Sequence, residues 1–267
     1  MRGLAEAGGS ADTPGGPGGS FSRTGWTEQE RYNQEWTDLR AEEMEEWSPQ
    51  EIISWAVDQF GDKLGLATSF QAESSVLVHL FAGATQQART FYLDTEALFA
   101  QTYMVRDRLI ERYDIKPVRF RPALSFEDQA TVYGDRLWET NPDLCCEIRK
   151  VQPLKLALSG LDAWMTGIRR DQAATRAHAR VVEWDKRGLV KINPLVRLTS
   201  ADVWNYIAEN NIPYNELHDQ GYPSIGCTHC TRAVAPGEDP RSGRWSGTGK
   251  IECGLHEPEP AEATFSI

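Results

Sequence analysis

Apolar positions along this chain come in short runs separated by longer stretches of helical period. "LGLAT" (64–68) reads as a short buried strand, "SSVLVHLFAGA" as the helix after it, and "RTFYLDT" (89–95) as a second strand. Helical periodicity over 98–113 leads to a third strand, "KPVRF" (116–120). "CEIRKVQPLKLAL" is helical with a kink or break near Pro153, because proline brings no amide hydrogen to the helix. "AWMTG" (163–167) is a further strand, and "VVEW" (181–184) and "VKINP" (190–194) are short strands around a turn. Ser48, Pro49, Gln50 and Glu51 spell a capping box with proline at the first helical position, and the helix they open stops at Gly61. Thr199 and Asp202 make a second box, opening a helix to about Asn210. A polar helix is expected over 27–46. Strands alternating with helices predict an α/β fold with a mostly parallel twisted sheet flanked by helices. Ligands of such sheets bind beyond the carboxyl ends of the strands, where three polar loops leave: "SFQAESS", "LDTEA" and "TGIRRDQAATR".

The pattern divides the chain. Residues 1–25 are rich in Gly, Ser and Pro and read as a disordered leader. Residues 26–230 carry the α/β domain. After Cys230 the periodicity gives way to Gly, Pro and charge, so 231–267 reads as a mobile C-terminal tail lying over the site. No run approaches the roughly 18 apolar residues of a membrane helix, and the first twenty-five residues lack the apolar stretch of a signal peptide. The expectation is a cytoplasmic protein without a membrane partner. With 28 Lys and Arg against 39 Asp and Glu, the net charge is −11, which argues against nucleic acid as a partner. The balance over 145–190 is nevertheless basic, nine against five, which suggests a small anionic ligand.

Two of the loops suit such an anion. "TSFQAESS" (68–75) offers backbone amides, a helix N terminus and the hydroxyls of Ser69, Ser74 and Ser75, but none of the glycines of a P-loop. "GIRRDQAATR" (167–176) puts the guanidinium forks of Arg169 and Arg170 after a strand, with a further arginine at its end, a donor set suited to phosphate or sulfate.

Five cysteines fall at 145, 146, 227, 230 and 253. Two close pairs are a metal-site pattern rather than a disulfide framework. An adjacent pair, Cys145 and Cys146, suits separate irons of a cluster better than convergence on one zinc ion, although zinc remains the rival. His229, inside the C-x-x-C of Cys227 and Cys230, is a further candidate ligand, but four thiolates suffice. Cys253 stands alone in "GKIECGLH", a glycine-bordered stretch without a core pattern, where packing does not explain an exposed thiol.

The residues "CCEIRK", "GIRRDQAATR", "KINPL", "PYNELHDQGYPSIGCTHCTR" and "ECGLH" resemble those of the adenylyl-sulfate (APS) and phosphoadenylyl-sulfate (PAPS) reductase family, of the assimilatory APS reductase type, over residues 64–256. The resemblance implies an adenine nucleotide alpha hydrolase-like sheet, related to ATP pyrophosphatases. It implies a [4Fe–4S] cluster on Cys145, Cys146, Cys227 and Cys230, and Cys253 as the nucleophile. Lys150, Arg241, Arg244 and His256 match positions around the phosphosulfate, and Ser69, Leu93, Asp94, Thr95, Arg169 and Arg170 match the nucleotide site. The family usually carries glycine where this chain has Gln71.

The reaction implied is reduction of APS to sulfite and AMP through a sulfonated cysteine, with thioredoxin or glutaredoxin as electron donor. Lys250, Arg244 and His256 are the cations nearest Cys253 in sequence. A homo-oligomer is compatible with this reading. PAPS reduction is the alternative, followed by an ATP pyrophosphatase-type adenylyl transferase, which would want a glycine-rich loop that "SFQAES" lacks. A zinc-binding interaction module would leave Cys253 and the arginine loops without a purpose.

Overall fold

The computed structural model describes residues 32–85 and 89–256, so the leader expected at 1–25 and the last part of the tail lie outside the described residues. The order is α1 (Gln34–Glu43), α2 (Pro49–Phe60), β1 (Leu64–Ala67), α3 (Ala72–Ala84), β2 (Arg89–Leu93), α4 (Ala100–Tyr113) and β3 (Val118–Phe120). A helical run follows: α5 (Phe126–Tyr133), α6 (Leu137–Thr140), α7 (Pro142–Cys146), a π turn (Glu147–Val151) and α8 (Gln152–Leu158). Then come β4 (Ala163–Met165), β5 (Val182–Trp184), β6 (Val190–Ile192) and α9 (Ser200–Glu209). Both capping boxes form: Ser48 and Glu51 open α2, which ends at Gly61 with φ of 53°, and Thr199 and Asp202 open α9.

The strands form one sheet in the order β3-β2-β1-β4-β6-β5, parallel except for the β5–β6 hairpin. Strand periodicity assigns its two faces. Leu64 and Leu66 of β1 join the larger core, which includes Val76 and Leu77 of α3, Leu109 of α4 and Val203 of α9. On the other face Phe91, Trp164 and Leu161 pack under Leu154 and Leu158 of α8. Gly65 points there, and a β-carbon would come within 2.6 Å of the Leu161 side chain. Among the described residues no helix is long and apolar enough to cross a membrane.

The break expected near Pro153 is present, just upstream. A proline ring clashes with the carbonyl four residues earlier, and the widened turn over Glu147–Val151 relieves that crowding while the chain stays helical. Its consequence is chemical, because Ile148, Arg149 and Lys150 are all buried. Arg149 donates to Gln129, the Thr95 carbonyl and Glu96, tying the β2–α4 loop to the cysteine-bearing helix.

Candidate active site

Strand order reverses between β1 and β4, so the chain leaves their carboxyl ends in opposite directions and opens a crevice. A cavity of about 720 Å³ fills it. The loops after β1, β2 and β4 line it, together with Arg241, Arg244, Trp245, Cys253, Leu255 and His256 of the tail.

Ser69 lines the cavity, but its amide and that of Phe70 turn onto Ser74 Oγ, at 2.8 and 3.3 Å. Phe70 takes φ of 58°, the left-handed region that such a tight turn requires. Gln71 does not block the loop. Its Oε1 accepts from the Ile225 amide at 2.8 Å, fastening the loop to the segment that leads into Cys227. Leu93 and Thr95 line the cavity, whereas Asp94 does not. Asp94 is fully buried, accepting from the Glu96 amide (2.8 Å) and Tyr103 Oη (2.7 Å) and pairing with Arg119 (2.7 Å). It builds the β2–α4 loop instead.

The two adjacent arginines part company. Arg169 lines the cavity, its charge already offset by Glu73 at 2.9 Å and by Asp171. Arg170 turns away, forked onto Glu45 at 2.5 and 2.9 Å and onto the Ala179 carbonyl. The structure therefore brings Arg169, but not Arg170, to the site. Neighbouring residues in an extended segment point to opposite sides, so one of the two must leave.

Trp245 organises the cations. Its ring, buried and reached through φ of 47°, has Arg244 at 4.5 Å, Arg241 at 6.0 Å, and Lys150 and Lys250 each at 5.8 Å. The negative face of an indole offsets part of their mutual repulsion. Lys150 is buried. Burial opposes its charge, yet the thiols of Cys227, Cys253 and Cys146 outweigh it and hold the ammonium above the usual lysine range. Lys250, near Cys253 in sequence, pairs with Asp143 of α7, and Lys150 and Arg241 are the cations on which Cys253 acts electrostatically.

Cys253 lines the cavity. The residues on both sides of it are anchored. Glu252 is held by Arg176 and Arg241, and Leu255 packs against the α8-side core. His256 stacks on Trp164 with ring centroids 5.7 Å apart and planes 8° from parallel, and its Nδ1 is buried with no partner among the described residues. Burial drives its pKa well below the ordinary histidine value, and Lys191, Arg176, Arg187 and Arg241 around it add to the effect. The carboxylates in this shell are committed to those cations, Glu183 to Lys191, Asp185 to Arg187, and Glu252 to both Arg176 and Arg241. His256 is thus a neutral imidazole. Neutral docking is fully present above the ordinary value of about 6.5 and weakens as pH falls below it. The ring resonance lost in His256→Asn is expected to show no titration near pH 6.5 in a proton NMR series, and an ordinary titration there would contradict the burial.

The other four cysteines gather beside this cavity. Cys145 and Cys146 end α7, Cys227 and Cys230 bracket a 3₁₀ turn, and all four are reduced. Burial pushes the Cys145 thiol up to about 11 and Cys230 to about 12, with Cys227 acting on both, so the thiols are electrostatic neighbours. Cys227 also lines the cavity, and its thiol donates to Thr95 Oγ1 at 3.3 Å. Among the described residues no three His, Cys, Asp or Glu side chains already converge as the ligands of a single ion. His229 is exposed and stacks on Trp138 at 4.1 Å.

Local pattern offered Arg176 only as an anion donor, not as the partner of Glu252, and did not single out Glu252 or Trp245. Glu252 stands inside "ECGLH", whose other members drew attention by type, and an isolated tryptophan carries no chemical signal.

Comparison with known proteins is consistent with this geometry. Residues 63–233 match the phosphoadenosine phosphosulfate reductase domain. The chain is 50% identical over 215 residues to an adenosine 5'-phosphosulfate reductase of Shouchella clausii, covering 80% of this chain and 89% of that one. A phosphoadenosine 5'-phosphosulfate reductase of Gloeobacter violaceus is 46% identical over 220 residues, 81% and 91% of the two chains. Among solved structures, a phosphoadenylyl-sulfate reductase from Candida auris in complex with phosphate superposes with a TM-score of 0.67 at 36% identity, covering 75% of this chain and 98% of that one. An FMN adenylyltransferase from Candida glabrata, 14% identical with a TM-score of 0.52 over 72% and 64% of the chains, shares the fold. A domain matched across the sheet and its loops, and relatives at half identity over four fifths of the sequence, show that the chain belongs to the phosphoadenosine phosphosulfate reductase family.

Proposed function

We propose that this chain reduces adenosine 5'-phosphosulfate to sulfite and AMP, with Cys253 as nucleophile. The observation that carries the reading is that Cys253, outside the two cysteine pairs, lines a cavity at the β1–β4 crevice that Lys150, Arg241 and Arg244 also line. The thiolate attacks the sulfonyl sulfur. A sulfur–sulfur bond forms, the sulfur–oxygen bond to the phosphate breaks, and its electron pair leaves on AMP. Reactant and leaving group are both anionic, and the cations around Trp245 offset the charge that builds between them. A dithiol of the thioredoxin or glutaredoxin class then attacks Cys253 Sγ and expels sulfite. Its second thiol resolves the mixed disulfide, so the donor is oxidised by two electrons and Cys253 returns as a thiol. That second step needs the tail to present Cys253 outward.

Cys145, Cys146, Cys227 and Cys230 fit an iron–sulfur cluster. They are four free soft donors, electrostatically coupled and mostly buried, and an adjacent pair suits separate irons better than a single ion. Such a group would supply fixed charge and a structural tie at the cavity edge, since thiol exchange is two-electron chemistry without it.

The reading is tested by anaerobic sulfite release with thioredoxin, comparing APS with PAPS, and by iron and acid-labile sulfide on the same preparation. Higher kcat/KM for APS and stoichiometric iron and sulfide are expected. Higher kcat/KM for PAPS would overturn the substrate assignment. Stoichiometric zinc without iron would overturn the cluster.

A further inference from the structure

Glu252, directly before Cys253, does not line the cavity but is held beside it by residues that do. It accepts from Thr175 Oγ1 at 3.0 Å, from Arg176 Nε at 2.9 Å and Nη2 at 3.0 Å, and from Arg241 Nη2 at 3.0 Å. Its side chain is 10% exposed and that of Arg176 is 11% exposed. The pair is forked, which fixes direction as well as distance. Arg176 is itself fastened, donating to Gln172 Oε1 at 2.6 Å, the same oxygen that accepts the Arg169 amide at 3.1 Å. A continuous hydrogen-bonded chain thus runs from the loop after β4 to the residue beside the thiol. Downstream the tail is pinned again, with Leu255 in the α8-side core and His256 on Trp164. Only Gly254 lies between Cys253 and that second anchor.

We infer that Glu252, gripped by Arg176, is the positioning residue that sets the Cys253 thiol for attack on the sulfonyl sulfur. The inference rests on the proposed nucleophilic role of Cys253. Glu252 takes no proton and forms no bond in the step. It acts by holding the backbone one residue from the thiol, where an ångström of drift costs about a hundredfold in rate. It also balances charge. Two guanidiniums against one carboxylate leave a single positive charge for the substrate anion. Removing the carboxylate's charge would strengthen ground-state binding of anions while loosening the thiol, so rate and affinity should move in opposite directions. Discharge by a dithiol requires the tail outside the cavity, so it should not depend on the Glu252–Arg176 grip.

The test uses the anaerobic holoenzyme, APS without reductant, and mass spectrometry of the peptide containing Cys253. In Glu252→Gln the SO3 adduct is expected to form about tenfold or more slowly, with KM for APS unchanged or lower. Release of sulfite from the preformed adduct by dithiothreitol should proceed at the wild-type rate, and iodoacetamide should alkylate Cys253 faster. Arg176→Gln should slow adduct formation at saturating APS in the same way, but with KM raised because a cation is lost, and the double variant should be no slower than the slower single one. Arg176→Lys, a charge without a fork, should recover part of the rate. Adduct formation at the wild-type rate in both single variants at saturating APS, or a rise in KM accounting for all the loss in Glu252→Gln, would overturn the inference. A wild type that forms no adduct on Cys253 would overturn the nucleophile reading itself and the inference with it. A wild-type adduct with unimpaired variants would overturn the inference alone.

Discussion

Replacing Cys253 with serine is expected to abolish sulfite release, by about a thousandfold or more, while the protein folds, keeps its iron and binds APS. A hydroxyl is a far weaker nucleophile than a thiolate and is not a substrate for dithiol exchange, so both halves of the reaction fail together. Folding should survive because Cys253 is not in the hydrophobic core and belongs to no disulfide. Wild-type protein given APS without thioredoxin should gain the mass of SO3 on the tryptic peptide carrying Cys253. Added thioredoxin should remove that mass and release sulfite. Turnover by Cys253→Ser near the wild-type rate, or an adduct on another cysteine, would show that the chemistry lies elsewhere.

The largest effect on stability is expected from Trp164→Ala. Trp164 is 1% exposed at the centre of β4, paired through its strand to β1 and β6, and it fills the core under α8. Truncating a buried tryptophan costs about 3–5 kcal/mol, a large share of the roughly 5–15 kcal/mol that keeps a domain folded. The indole Nε1 has no hydrogen-bond partner among the described residues, so Trp164→Phe removes volume but breaks no bond seen there. It should cost roughly half as much or less, and it leaves a ring for His256 to stack on. Urea unfolding of the three proteins checks the order. Equal losses for Ala and Phe would mean that the indole nitrogen matters in a way its surroundings do not explain. The same residue thus supports the fold and seats the tail.

How far local sequence reached can be followed residue by residue. Capping is local chemistry: Ser48 with Glu51 and Thr199 with Asp202 each meet within one helical turn, so three letters suffice to place a helix start. The inner parallel strands were legible for a similar reason, since a strand buried on both faces must be apolar throughout, as Ala163–Met165 is, whereas the edge strand Val118–Phe120 is mostly exposed. α5 and α6 were not legible. They are short, and only Gln129 and Leu137 of their residues are fully covered, so they leave no periodic stripe.

At the site, residue type and spacing were enough to bring out the two cysteine pairs and the lone Cys253, because thiols are scarce and their chemistry follows from their number. Arginines are another matter. Arg169 and Arg170 are alike in sequence, yet Arg170 is forked onto Glu45, 125 residues away, and Asp94 is absorbed by Tyr103 and Arg119. Arg176 instead reaches Glu252 across 76 residues. Long flexible side chains find partners by proximity in the folded chain. Which arginine faces the cavity, and which acid guards the thiol, was therefore decided by the tertiary packing of the loops and the tail, and by no pattern within them.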